Sequence, residues 1–536
     1  MDISKNSVQR PDTYFLQETV NRGIEAIIAR LDGEKGYLPH FVLHILPEPY
    51  LGHDIWDNGD MCSRYTDAFI LGRQVTGNTD YQNEETAVNN LLYRCDPYEH
   101  PFMATRVLIT LVDIYLKEPN ETHKKRIDDL ISLIKTKMTY EEDYAYYFKA
   151  PEGWSSVKKP VFGSFVPYPT YPIGGIILAL SRYLEAVYSE EVDEFTGKLV
   201  RFVTDHSGIF NEEGHYFGHT HSGGILTAAA GITRWAYFKK DTRLLNMMKG
   251  AFEWTIKYCS SWGWVPDGVG EPNGSSETCS ITDAIHFALL MARYVNPEYY
   301  EVAERYARNQ LIENQFKNLE YIDKILSQSN SPHKERAAKA LYGSWASYSL
   351  PNCIDNGFSM VEGCCLGAGI RGCYLAWNGA VEKKDDTVYV NMAFSRNSPW
   401  AEVISYQPYE GRIDVIIHDA EKAMVRMPSW INSEDLQISI NDTPVSVNYE
   451  NKIYLKLSGL KKNDYIKIQY PLRCGVIPES VNGKEYSPEW RDDTVVGINP
   501  KGKLYPIFER KYMKENIAPM IDGQPYKYQV GGPVFW

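Results

Sequence analysis

The amino-acid sequence predicts a mainly α protein with a β appendage: an (α/α)6 six-hairpin barrel over residues 1–380, a β-sandwich over 381–475 and a C-terminal extension over 476–536. Three observations lead there. From Tyr14 to about Trp377 apolar residues recur at helical spacing, with short breaks rich in Gly, Pro, Asn and Asp and no strand pattern between them. No fixed-period repeat runs through these segments, so a closed double ring of inner and outer helices is expected rather than an open solenoid. After Lys383 the apolar period switches to alternation, the mark of strands with one buried face.

Taken in order, the helical segments are 14–31, 61–75, 102–117, 122–138, 173–188, 192–204, 222–239, 242–258, 281–294, 297–316 and 364–378, with a shorter one near 333–343. Paired as hairpins they suffice for six. The strands follow as DTVYVNMAFS, AEVISYQ, GRIDVIIH, KAMVRMPSW, LQISIN, KIYLKLSG and DYIKIQYP, which end near Leu472 and suit a sandwich. Beyond them VNGKEYSPEW and VGINPKGKLYPIFERKY have mixed short patterns, and packing back on the barrel is the placement offered for them.

At 536 residues and 43% hydrophobic, the chain can bury a large core in more than one domain. A net charge of -13 argues against general affinity for nucleic acid or an anionic membrane. The N-terminal MDISKNSVQRPDTYFLQ lacks a secretory signal, and no apolar run approaches the ~20 residues that span a bilayer. A soluble, cytoplasmic protein is expected. Nine cysteines, an odd number, are no disulfide framework, and in a reducing compartment a cluster of them points to metal or catalysis. Cys62, Cys95, Cys259, Cys353, Cys373 and Cys474 read as small buried hydrophobes. The 39 tyrosines and 12 tryptophans suit sugar clefts, and equally ordinary cores.

The remaining thiols are Cys364 and Cys365, in VEGCCLGAGIRGCYLAW, and Cys279, in GEPNGSSETC beside Glu277. Three thiols and a carboxylate make a full tetrahedral zinc shell. Glu277 and Cys279, two apart, would point to different faces of a helix, so both are expected to project from a turn before a helix starting at Ile281. The cysteine pair falls just before the helix LGAGIRGCYLAW, where the positive end of the helix dipole favours thiolate. Taken alone, either half also suits buried packing.

The combination of ETC and CC resembles glycoside hydrolase family 127, the β-L-arabinofuranosidases. ETCSITDAIHFALLMARY resembles that family's zinc-binding Glu and Cys ahead of a helix, and CCLGAGIR its Cys-Cys motif followed by Arg, here Arg371. HSGGILTAAAG resembles its barrel helix opening with a substrate-contacting His, here His221, with Gly231 ten residues on. DDTVYVNMAF and VRMPSW resemble parts of its sandwich domain, and the likeness spans about residues 50–475.

The resemblance implies a Zn2+ ion on Glu277, Cys279, Cys364 and Cys365, with Cys364 also the nucleophile of a retaining glycosidase. It implies a general acid/base at Glu271, after Gly270, although the loop from there to Glu277 is shorter than the family's. His221 would contact substrate. His219, Trp56, Asp57 and Asp60 are further candidates, the aspartates serving equally well as helix N-caps. Glu362 reads as an orienting group or a surface charge. The expected partner is a small-molecule carbohydrate, a short furanoside such as a β-L-arabinofuranoside, with no nucleic acid and no membrane; the oligomeric state is open, a homodimer included. Two rivals stand beside this reading: a carboxylate- and His-based sugar hydrolase, lyase or epimerase on the same barrel, and a non-catalytic carbohydrate-binding protein with structural zinc.

Overall fold

The computed structural model describes residues 9–13, 16–97, 101–147, 170–216, 222–270, 274–354, 360–450 and 452–522. Among them are α1 (Leu16–Ala29), α2 (Cys62–Thr76), α3 (Gln82–Leu92), α4 (Pro101–Lys117), α5 (Glu121–Thr136), α6 (Thr170–Ala186) and α7 (Glu190–Arg201). The helical region continues with α8 (Ser222–Lys239), α9 (Thr242–Ile256), α10 (Thr278–Tyr294), α11 (Tyr300–Tyr306), α12 (Leu319–Leu326), α13 (Lys334–Leu341) and α14 (Gly363–Ala380).

Helices α2, α4, α6, α8, α10 and α14 pack each on the next, and α14 returns to α2, which closes a ring. Outside it α3, α5, α7, α9 and α11 each pack on the inner helix of the same hairpin, while α1 lies against α2 and α14. The outer helices are amphipathic and the inner ones are buried nearly all round: in α7 a polar face carries Glu190, Glu191 and Glu194, whereas α8 is buried from Ser222 to Ala236. One outer helix separates each inner helix from the next as far as α10, and three helices, α11 to α13, lie between α10 and α14; an odd number at every step lets the inner six run parallel with their N-termini at one end of the barrel. The barrel is the expected one, built as a double ring.

Sequence periodicity missed α3, in which only Val88 and Leu92 are buried, and the short α12. It also missed a three-stranded sheet inside the helical region, where Val42–His44 lies between Tyr50–Gly52 and Val361–Glu362; these strands are too short to show a period. After α14 come two sheets. One has five strands centred on Lys422–Arg426, and the other six, centred on Arg412–Ile417 and Tyr465–Gln469. Their facing residues alternate as predicted: Leu455 and Leu457 are buried, Lys456 and Ser458 exposed. Within the first sheet Thr387–Val390 and Lys422–Arg426 run parallel.

A four-stranded sheet over 474–499 follows, and the chain then returns to the helices. Tyr505 Oη accepts hydrogen bonds from the Lys317 and Asn318 N–H groups, both at 2.8 Å, and Arg510 Nε donates to Glu313 at 2.8 Å. Cys474, expected to be buried, is exposed in an edge strand, while Cys95 and Cys259 are half-buried.

Candidate metal and active site

Helices α10 and α14 are neighbours in the ring, and their first turns meet at its N-terminal end. Helix α10 begins at Thr278 rather than at Ile281, because Thr278 Oγ1 donates to the Ala346 carbonyl at 2.6 Å and so anchors an extra turn. Glu277, extended at φ -102°, is the residue before the helix, and Cys279 is its second residue. The pair therefore straddles the boundary instead of preceding it. Helix α14 likewise begins one residue before the cysteine pair, at Gly363. The Gly363 N–H donates to the Phe41 carbonyl at 2.6 Å, and a Cβ there would stand 2.7 Å from Met61 Sδ and 2.8 Å from Tyr65 Oη, so any larger residue would have to displace those side-chain ends. Thr282 Oγ1 donates to the Ala368 carbonyl at 2.8 Å and locks the two helices together.

These anchors bring Glu277, Cys279, Cys364 and Cys365 into one buried cluster whose ligand atoms all lie within 4.8 Å of one another. Cys365 Sγ is 3.8 Å from Cys279 Sγ, 4.0 Å from Cys364 Sγ and 3.4 Å from Glu277 Oε1, and Cys364 Sγ is 3.9 Å from the same oxygen. Zinc bonds of about 2.3 Å to sulfur and 2.1 Å to oxygen at tetrahedral angles need ligand edges of roughly 3.6–3.8 Å. The donor set fits that ion in type, number and spacing, and the sulfurs are too far apart for a disulfide. Cys364 is the most accessible of the three cysteines, 7% exposed as a residue against 3% for Cys279 and 0% for Cys365.

The cluster has charged neighbours. Hydrogen bonding with Cys279, together with burial, pushes the Cys364 thiol well above its usual range, and burial does the same for Cys365. Cys364 Sγ lies 3.5 Å from Glu362 Oε2. Arg64 Nη1 points at Cys279 Sγ from 4.0 Å while its Nε donates to Asp60 at 2.9 Å. Half-buried Tyr348 adjoins Glu362, Glu277 and Cys365, and burial followed by these anions keeps its hydroxyl protonated. Below Cys279 a cavity of about 20 Å³, room for one water, is lined by Arg64, Asp67, Arg106, Asp283 and Arg371 among others. Arg371 pairs with Asp67 at 2.6 Å and with Asp113 at 3.3 Å.

Of the other predicted site residues, Trp56 is half-buried, and Asp57 and Asp60 are buried in the turn before α2. Neither aspartate caps that turn or the helix. Asp57 accepts from the Phe41 N–H at 2.8 Å, the Asp54 N–H at 3.0 Å and His53 Nδ1 at 2.5 Å, and Phe41 in turn holds Gly363. Asp60 is occupied by Arg64. Both aspartates thus reach the cluster through another residue. Glu271, His219 and His221 lie outside the described residues. Sequence reasoning missed Arg64, Tyr348 and Arg30, which carry no motif and become neighbours of the cysteines only through the closed ring. A second group, Asp32, His40 and His53, also brings potential metal ligands together. There Arg336 Nη2 stands 3.4 Å from His40 Nε2, where a metal would bind, and His53 bridges Asp32 and Asp57.

No protein-family model and no curated protein matches the sequence. Solved structures do. A GH127 β-L-arabinofuranosidase from Geobacillus stearothermophilus T6 is similar over 91% of this chain and 86% of its own, with a TM-score of 0.59 at 12% identity. A protein described as a glycoside hydrolase gives 0.62 at 11% identity over 91% and 81% of the two chains, and a GH127 β-arabinofuranosidase gives 0.61 at 12% over 89% and 78%. The chain therefore shares, over most of its length, the barrel-then-sheet fold of solved GH127 β-L-arabinofuranosidases.

Proposed function

We propose that the protein is a zinc-dependent, retaining, exo-acting glycosidase of small furanosides, β-L-arabinofuranosides first among them, with Cys364 as nucleophile. The observation that carries this reading is the four-ligand cluster whose edges suit zinc, set at the helix N-termini of a GH127-type barrel with Cys364 as its most exposed cysteine. Glu277, Cys279, Cys364 and Cys365 would hold the ion, which when bound keeps the sulfurs as thiolates. Residues 1–380 form the catalytic domain in this proposal, and residues 381–475 the sandwich beside it.

Cys364 Sγ attacks the anomeric carbon as the glycosidic C–O bond breaks, and Glu271 gives its proton to the departing oxygen. Water, deprotonated by the same Glu271, then attacks that carbon from the opposite side and expels the sulfur, so two inversions give net retention. Glu362, whose Oε2 accepts from the Cys364 thiol at 3.5 Å, orients that side chain before the ion binds. His219, His221 and Trp56 are assigned to the sugar, while Asp57 and Asp60 act as positioning residues because their oxygens are already engaged. Cytoplasmic action on short imported oligosaccharides belongs to the same proposal.

The test is the Cys364→Ser variant on an aryl β-L-arabinofuranoside. Turnover is expected to disappear, and a variant keeping most of its kcat would exclude thiol catalysis. Glu271→Gln should slow substrates with poor leaving groups far more than activated aryl glycosides; equal loss on both would remove Glu271 from the acid role.

A further inference from the structure

The loaded cluster has a charge problem that the barrel must answer. Three thiolates, a carboxylate and a divalent cation sum to two net negative charges in a buried place, and burying net charge without a counter-ion is costly. Arg64 answers little of it, because Asp60 already pairs with it at 2.9 Å.

Arg30, just after α1, is placed differently. It is fully buried, and its Nη1 donates to the carbonyls of Val361 at 3.1 Å and Phe41 at 3.4 Å, with the Tyr65 hydroxyl as its side-chain partner. Among the described residues no carboxylate pairs with it. Other fully buried arginines are matched: Arg234, Arg308 and Arg510 have Glu185, Glu304 and Glu313 at 2.8, 2.9 and 2.8 Å, and Arg182 has Asp113. Arg396 lies on the Trp377 ring and donates to three carbonyls. The electrostatic partners of Arg30 are the Tyr65 hydroxyl and the sulfurs of Cys364 and Cys365. Its two carbonyl partners flank the same cysteines, since Phe41 also receives the Gly363 N–H and Val361 leads into α14.

We infer that Arg30 is the built-in counter-charge of the metal-loaded cluster, a positioning residue whose guanidinium is anchored by the Phe41 and Val361 carbonyls beside the start of α14. This rests on the zinc reading above. The guanidinium would also make the Cys364 sulfur a better leaving group in the second step, by stabilising the thiolate it becomes.

Zinc affinity of the full-length protein, stripped and reloaded against a chromophoric chelator, tests the inference in Arg30→Met, Arg30→Gln and Arg30→Lys. Loss of a supporting group around a metal site typically weakens binding about 10- to 100-fold. That loss is expected in the two neutral variants, while lysine, which keeps the charge, restores most of the affinity. In cobalt-loaded protein the thiolate-to-metal charge-transfer band should move to longer wavelength in the neutral variants and not in Arg30→Lys. Should Arg30→Met not fold, Arg30→Gln, which keeps donors for the Phe41 and Val361 carbonyls, carries the comparison. Neutral variants that hold zinc within about twofold of the parent, or a lysine variant that loses as much as they do, would overturn the counter-charge role and leave the zinc site standing. A parent protein that takes up no zinc would overturn both.

Discussion

Cys365→Ser is the most direct probe of the cluster. Cys365 is fully buried and is the vertex that touches all three other ligands, at 3.4, 3.8 and 4.0 Å. Serine keeps the backbone, but its hydroxyl stays protonated near neutral pH and, on a C–O bond shorter than C–S, stops short of the ligand position. Structural zinc sites bind with apparent free energies of roughly 10–16 kcal/mol over four ligands, so one ligand accounts for about 2.5–4 kcal/mol. At about 1.4 kcal/mol per factor of ten, affinity should fall about 10²- to 10³-fold. Metal analysis after dialysis against a chelator of graded strength reads this directly: the parent should retain close to one zinc per chain where the variant has lost it. The melting temperature gained on adding zinc should shrink in step, because a ligand stabilises only in proportion to its binding. A Cys365→Ser protein that holds zinc as tightly as the parent would refute the ligand assignment.

Two further substitutions test how the site is supported. At Gly231 of α8 an added Cβ would stand 2.6 Å from Leu178 N and 2.8 Å from Leu178 Cα of α6, backbone that cannot step aside, so Gly231→Ala should cost about 1–3 kcal/mol despite alanine's better helix propensity. An unchanged or raised melting temperature would contradict that close packing. Glu313 binds Arg510 at 2.8 Å, Lys317 at 2.7 Å and the Phe508 N–H at 2.8 Å; burial alone would raise its pKa, but the two cations hold the carboxyl well below the usual range. With the folded pKa depressed, its stabilisation is present above the unfolded value of about 4.3 and is lost as pH falls below it. Glu313→Gln should therefore cost about 3–5 kcal/mol at neutral pH in urea unfolding and flatten the acid limb; a cost under about 1 kcal/mol would count against a docking role for this carboxylate.

The barrel was legible because inner and outer helices differ in how much of their surface is apolar, and the sandwich because its strands alternate. What escaped was whatever lacks a period. Helix α3 buries only two apolar side chains, and the strand Val361–Glu362 is two residues long, yet it sets the start of α14. The four cluster residues were readable as residue types, and their resemblance to a known motif joined them. Their convergence was not readable from periodicity, since α11, α12 and α13 intervene between α10 and α14 in the chain and only ring closure makes those two helices neighbours. Arg30 shows the limit more sharply: a single arginine after a helix carries no sequence mark, and the counter-charge role proposed for it comes from its place on the Phe41 and Val361 carbonyls beside the start of α14.

Ring closure also decides from which side a substrate reaches the cysteines. Asp67, Asp113, Arg182 and Arg371 come from α2, α4, α6 and α14, four inner helices, and pair across the barrel axis, with His286 of α10 buried among the arginines. Burial and the neighbouring arginines hold that imidazole neutral. The cavity beside Cys279, which Asp67 and Arg371 of this group help to line, has room for one water, far too little for a sugar. In the proposed reaction the furanoside approaches from the N-terminal end of the inner helices. At that end Cys364 and Cys365 occupy the second and third residues of α14 and Cys279 the second residue of α10. The amide dipoles of both helices put their positive ends there, which offsets part of the burial that pushes the Cys364 and Cys365 thiols up.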